Sequence, residues 1–241
     1  MPRGAALVTG GSRRIGRTLV KAAAQAGYDV AIHCRTVDDD AQATAAEVRS
    51  LGRKASIHSC DLRREAETAP LVGEVESELG LVTLLVNCAS VFEDDSFAEM
   101  NRASWDAHLE TNLRAPLVLA QAFARRLPAD RDGLIVNILD QRVLHPAPEF
   151  FSYSLSKSAL WDATRMLAQA LAPRIRVNGI GPGPTLRSIH QTAEEFAAEA
   201  KASLLARQVE PLEIGQALAY LIDARSVTGQ MIAVDAGQHL S

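Results

Sequence analysis

The chain is poor in cysteine, in aromatic residues and in long apolar runs, and each shortage excludes something. Its three cysteines, Cys34, Cys60 and Cys88, are too few and odd in number for a disulfide framework, and they fit a reducing compartment. None is spaced as a metal ligand with another cysteine or with the scattered His33, His58, His108, His145, His190 and His239, so no metal is expected. No apolar stretch approaches the roughly 18–20 residues that cross a bilayer, and no membrane partner is expected. Basic charge is also scarce. Lys and Arg total 25 against 29 Asp and Glu, a net charge of −4, so nothing here suits the nucleic-acid backbone. The opening MPRGAALVTG lacks the apolar core and cleavage site of a secretory leader, which leads us to expect a cytoplasmic protein folded from about residue 4.

What remains is an ordinary globular composition. With 241 residues, 47% hydrophobic and 22% charged, the chain can bury one large core and has too little excess charge for disorder. No Pro/Gly/Ser-rich linker and no repeat divides it, so one domain over residues 1–241 is expected.

Short β-type runs alternate with stretches of helical periodicity. The expected strands are Ala5–Thr9, Asp29–His33, Lys54–His58, Val82–Asn87, Leu134–Ile138, Ile175–Gly179 and Met231–Val234. The expected helices are Ile15–Ala26, residues 38–51, Arg63–Leu79, Arg102–Leu127, Ser152–Leu171 and Leu212–Ile222, with Gly27, Gly52 and Gly80 stopping the first three. The fourth and fifth strands are continuous apolar runs, as strands covered on both faces require. This alternation predicts an α/β fold, a doubly wound Rossmann-type domain with a seven-stranded parallel sheet. One segment breaks the rhythm. Leu186–Gln208 carries an Ala-rich helix with a Thr192–Glu195 capping box, and its place at the ligand-binding end of the sheet predicts a helical lid.

The first strand runs into Thr9-Gly10-Gly11-Ser12-Arg13-Arg14-Ile15-Gly16 and then a helix. Gly10 allows a tight turn, Gly16 allows close helix-to-strand packing, and the helix N-terminus offers free N–H groups to a pyrophosphate. The end of strand two lacks the acid that usually meets a free ribose 2′-hydroxyl. It has Arg35 and Thr36 instead, and with Arg13 these suit a 2′-phosphate, favouring NADP(H) over NAD. At the start of the fifth helix, Tyr153 and Lys157 stand four apart on one face. That spacing predicts an ammonium that lowers the Tyr153 pKa and readies it for proton transfer. Pro116 has no N–H for the carbonyl of Asn112 and leaves it free for a water beside Lys157. Asp140, just past strand five, either relays protons or binds a substrate amino group, or is simply a turn residue.

These residues resemble the short-chain dehydrogenase/reductase family over essentially the whole chain. Thr9 to Gly16 matches the family turn except that Arg14 replaces its middle glycine. Asn87-Cys88-Ala89-Ser90 matches the run after strand four with two changes. Asn112, Tyr153 and Lys157 match three of four catalytic positions, and Asp140 stands in the region of the fourth, usually serine. The resemblance implies that cofactor lies against Gly10, Ser12, Arg13, Arg14, Ile15, Gly16, Arg35, Thr36, Asp61, Leu62, Asn87, Ala89, Tyr153, Lys157, Pro182, Gly183 and Thr185. The departures as a set look like pteridine reductases and bacterial dihydromonapterin reductases. That likeness implies substrate contacts from Arg14, Ser90, Phe92, Asp140 and Tyr153, with Phe92 stacking the pterin. It further implies a homotetramer that reduces a C=N of a dihydropterin. The alternatives are a carbonyl reductase acting on an oxo-acyl or ketone substrate, and a non-catalytic NADP-binding protein.

If Arg35 and its neighbours hold a 2′-phosphate, Arg35→Ala raises KM for NADPH and leaves that for NADH nearly unchanged. Equal affinity of the wild type for the two cofactors contradicts this.

Overall fold

The computed structural model describes residues 3–188 and 191–241. Met1 and Pro2, at the expected leaderless start, and the 189–190 stretch of the expected lid, His190 included, lie outside the described residues.

Seven strands form one sheet in the order β3-β2-β1-β4-β5-β6-β7, and every neighbouring pair is parallel. They are β1 (Ala5–Val8), β2 (Asp29–Cys34), β3 (Ala55–Ser59), β4 (Val82–Asn87), β5 (Gly133–Ile138), β6 (Ile175–Pro182) and β7 (Met231–Val234). Residues alternate between the two faces of a strand. Ala6 and Val8 of β1 therefore join one core with Leu19, Ile214 and Leu218. Ala5 and Leu7 join the other with Leu85, Leu119 and Phe123. The first face is covered by α1 (Arg14–Gln25), α2 (Asp39–Ser50) and α9 (Pro211–Asp223). Gly215 lets α9 approach α1, since a Cβ there would lie 3.1 Å from Thr18 Cγ2. Strand order reverses between β1 and β4, and the two chains of crossovers leave a crevice at the carboxyl ends of the strands.

Most expected boundaries hold within one residue, but three do not. The expected helix Arg63–Leu79 is two pieces, α3 (Glu65–Thr68) and α4 (Leu71–Leu79), because Pro70 has no N–H to donate back to the Ala66 carbonyl and so interrupts the ladder. The expected helix Arg102–Leu127 divides into α5 (Arg102–Leu109), a π turn (Glu110–Arg114) and α6 (Ala115–Arg126). Ala115 N–H reaches back five residues to the Glu110 carbonyl, and Pro116 donates nothing after it. Strand β6 runs three residues past its expected end. Gly181, past the expected end, reads as a loop, yet a Cβ on it would lie 2.9 Å from Met231, so a neighbouring side chain fills the room this glycine leaves. Pairing with β7 then carries β6 to Pro182.

Segment 186–208 contains α8 (Ala193–Ala202) behind the expected capping box, with Glu195 N–H on Thr192 Oγ1 at 3.2 Å and Thr192 N–H on Glu195 Oε2 at 2.8 Å. The remaining helix, α7 (Phe151–Leu171), packs on β6 and carries Tyr153 and Lys157. All three cysteines are free. Among the described residues, no helix is long and apolar enough to cross a membrane and no group of His, Cys, Asp and Glu is placed to hold a metal.

Candidate active site

A cavity of about 1150 Å³ occupies the crevice, room enough for a dinucleotide and a small substrate together. Gly10, Ser12, Arg13, Arg14, Ile15, Gly16, Arg35, Thr36, Asp61 and Leu62 line one end. Ala89, Ser90, Phe92, Asp140, Tyr153, Lys157, Pro182, Gly183 and Thr185 line the rest, with Gln191, Glu195 and Glu199 from segment 186–208. Asn87 and Asn112 do not line it. They stand behind its wall.

At the turn, packing and chain direction both demand glycine. Gly10 has φ +63°, and a Cβ there would lie 2.9 Å from Ala89 Cα. A Cβ on Gly16 would lie 1.9 Å from the Gly10 carbonyl oxygen. Thr9 Oγ1 accepts from Cys88 N–H at 2.9 Å and Ala89 N–H at 3.1 Å, which ties the turn to the loop after β4. His33, whose role the sequence left open between structure and surface, holds the other side. Its Nδ1 accepts from Gly10 N–H at 3.3 Å and its Nε2 faces the Cys60 carbonyl at 3.1 Å, so the ring bridges as a neutral tautomer with the proton on Nε2. Burial pushes the His33 pKa down to about 4, ahead of an opposing hydrogen bond to Cys60. Arg63 donates to Asp61 through two nitrogens, and that contact holds the Asp61 carboxyl down at about 2. Arg14, with φ +53° where the family turn has glycine, occupies a left-handed backbone that costs about 1–3 kcal/mol. Its guanidinium donates to the Leu186 and Arg187 carbonyls at 3.1 and 3.0 Å, joining the turn to the start of segment 186–208.

At the other end, Tyr153 OH donates to Asp140 Oδ2 at 2.7 Å, and Asp140 Oδ1 accepts from Arg142 N–H at 2.9 Å. Lys157 Nζ donates to the Ile138 carbonyl at 2.8 Å and stands 5.7 Å from the centre of the Tyr153 ring. Here the expectation of a lowered Tyr153 pKa is corrected. Burial, then the adjacent Asp140 carboxylate, push the phenol well above its ordinary value. The Lys157 ammonium is engaged with Ile138, and burial pulls Lys157 itself down to about 8. Burial also raises the Asp140 carboxyl, against the hydrogen bonds that favour its charge. The two groups form one coupled acid pair that retains protons.

Asn112 spends its whole amide on positioning. Oδ1 accepts from Val91 N–H at 2.8 Å and Ser90 Oγ at 3.2 Å, while Nδ2 donates to the Val91 carbonyl at 2.9 Å and Ser156 Oγ at 3.0 Å. Asn87 Nδ2 donates to Asn137 Oδ1 at 2.8 Å, joining β4 to β5. Phe92 presents its edge region to Tyr153, with ring centres 4.6 Å apart at 80°. One face of Phe92 is already stacked on Phe150 at 4.3 Å and 13°. Phe150 was not foreseen. It has φ +51°, and the Arg142 guanidinium lies 5.1 Å from its ring centre. Its only mark in the sequence is an aromatic pair, Phe150-Phe151, at a helix start.

Comparison with known proteins places this geometry. The family model described as short chain dehydrogenase matches residues 4–213. The crystal structure of FolM alternative dihydrofolate reductase 1 from Brucella canis complexed with NADP is 47% identical, covers 99% of this chain and 94% of its own, and has a TM-score of 0.95. Its counterpart from Brucella suis, also in complex with NADP, is 47% identical over 100% of this chain and 97% of its own, with a TM-score of 0.95. The 3-oxoacyl-(acyl-carrier-protein) reductase of Bos taurus is 32% identical over 235 residues, 97% of each chain.

The His33 bridge makes stability depend on pH. Its folded pKa, about 4, lies below its ordinary value, so the unfolded chain takes up this proton first as pH falls. The contribution is complete above about pH 6.5 and is lost on acidification towards pH 4, with a slope approaching about 1.4 kcal/mol per pH unit. Urea unfolding of the wild type and His33→Gln across this window should show the variant losing less stability on acidification. Identical slopes contradict the neutral bridge.

Proposed function

The chain belongs to the short-chain dehydrogenase family, and from that premise we propose that it is an NADPH-dependent reductase of a dihydropterin. The hydride goes to the carbon of a ring C=N, and a proton from the Tyr153–Asp140 pair goes to the nitrogen. The observation that carries this reading is the half-buried hydrogen bond between Tyr153 OH and Asp140, 2.7 Å long, beside the Phe92 ring. A ketone needs one donor at its oxygen, which a hydroxyl provides. A C=N in a flat, polar heterocycle calls for a proton source at nitrogen and an aromatic surface, and the site has both.

The residues present suit NADP. The turn at Gly10–Gly16 directs helix N–H groups at a pyrophosphate, and Arg13, Arg35 and Thr36 give the donor set for a 2′-phosphate. When bound, the cofactor supplies the hydride. Lys157 binds the nicotinamide ribose, and Asp61 and Leu62 meet the adenine. Asn112 fixes the Ser90–Val91 main chain. Tyr153 yields its proton to the substrate nitrogen, and Asp140, held protonated by its raised pKa, passes its own proton to the phenolate left behind. Segment 186–208 closes over the substrate as a lid, and Arg14 joins it to the cofactor turn. By likeness to its family the protein works as a homotetramer on a small molecule. The 47% identity to the Brucella FolM proteins supports the pterin reading. The full-length match to 3-oxoacyl-(acyl-carrier-protein) reductases favours a second one, reduction of a ketone.

The test follows NADPH oxidation with dihydropterins, dihydrofolate and a ketone panel in parallel. A dihydropterin should be the best substrate, and Phe92→Ala should weaken it selectively. Tyr153→Phe should lower its turnover about 10²–10⁴-fold with NADPH binding nearly intact. Turnover of ketones with none of any pterin or folate contradicts the pterin reading and leaves the reductase. Near-normal turnover by Tyr153→Phe removes Tyr153 from the chemistry.

A further inference from the structure

We propose that Asp95 is a positioning residue for the reaction, joining the loop that carries Phe92 to the helix that carries Tyr153. The inference rests on the role given to Tyr153 above.

Helix α7 begins without a cap of its own. The residue before it, Phe150, is left-handed and offers no side-chain acceptor to the first turn. The first free N–H groups of a helix need partners when buried. Here Asp95, distant in sequence and only 8% exposed, supplies them. Its Oδ1 accepts from Ser152 N–H at 2.9 Å, and its main-chain carbonyl accepts from Phe151 N–H at 3.0 Å. Its other carboxylate oxygen accepts from Ser104 Oγ of α5. Burial opposes the charge, but the hydrogen bonds from Ser104 and Ser152 hold the Asp95 carboxyl below its ordinary range.

The contacts are arranged so that one carboxylate fixes three things. Ser152 is the neighbour of Tyr153. Phe92 lies three residues before Asp95 on the same loop and touches Tyr153. Ser104 connects onward to His108, fully buried, whose ring faces the Ser104 carbonyl at 2.9 Å and accepts from Glu93 N–H at 3.2 Å. The loop is therefore held from both Glu93 and Asp95. A strained residue such as Phe150 persists only where its surroundings over-determine it, and the two bonds from Phe151 and Ser152 do so. The cofactor turn is braced separately by Thr9 and His33, and Lys157, one turn further along α7, is fixed by the Ile138 carbonyl. Loss of the Asp95 carboxylate should thus misplace the proton donor against the stacking ring and leave cofactor binding alone.

An ordinary helix cap and a positioning residue differ in what they change. Wild type, Asp95→Ala, Asp95→Asn and Tyr153→Phe are compared for kcat and KM with the best substrate of the panel, and for NADPH affinity by fluorescence titration. Asp95→Ala should lose roughly 10- to 100-fold in kcat/KM, as small misplacements do, with NADPH affinity unchanged. Asp95→Asn keeps an oxygen for Ser152 N–H and should recover most of that loss. Wild-type turnover by Asp95→Ala overturns the proposal. So does an Asn variant as impaired as the Ala variant, or NADPH affinity lost in step with turnover. Tyr153→Phe separates the claims: full turnover there removes the reading beneath, whereas loss there with none in Asp95→Ala overturns this inference alone.

Discussion

The hydrogen bond from Tyr153 to Asp140 is the constraint on which the rest of the site depends. Tyr153 is buried and Asp140 half-buried, and desolvation raises the pKa of each. Beside Asp140 the phenol is reluctant to ionise, and in the proposed reaction the pair keeps its protons until a developing negative charge on the substrate takes one. Lys157, drawn to the Ile138 carbonyl, adds positive charge nearby without discharging the phenol. The acid character of the site is thus set by desolvation first and by charge second.

Holding that pair requires most of the fold. Asp140 follows β5 and Tyr153 begins α7, so both stand at the carboxyl ends of the strands, beside the crevice left where strand order reverses between β1 and β4. The cofactor end is braced independently. Thr9 joins the turn to the Cys88–Ala89 main chain, and neutral His33 joins it to β3 through the Cys60 carbonyl. Arg14 spans from the turn to segment 186–208, accepting a left-handed backbone to do so. Whatever displaces the turn is therefore felt at a segment that lines the cavity.

The seven strands, the parallel sheet and the glycine turn were legible in the sequence because each rests on local pattern: apolar runs alternating with helical stretches, stop glycines and a glycine-rich turn between a strand and a helix. Tyr153, Lys157 and Asp140 were legible from spacing along one helix and one strand end. What stayed hidden depends on contacts across the chain. Gly181 reads as loop because nothing local shows that Met231 fills its space. The spacing of the i,i+4 lysine predicts a lowered Tyr153 pKa, but burial reverses it first, and then the Asp140 carboxylate, 13 residues away and 2.7 Å from the hydroxyl. Asp95, Phe150 and His33 carry no motif at all. Their roles arise where a loop, a helix start and a sheet edge converge.

The central claim is that Asp140 and Tyr153 act as one proton-donating pair. The most direct test is the pH dependence of kcat with the best substrate, wild type against Asp140→Asn, at saturating NADPH. The raised carboxyl pKa requires wild-type activity to fall as pH rises through an apparent value above the ordinary carboxylate range. In Asp140→Asn that limb should disappear, with lower turnover at every pH. Superimposable profiles for the two proteins would contradict the account.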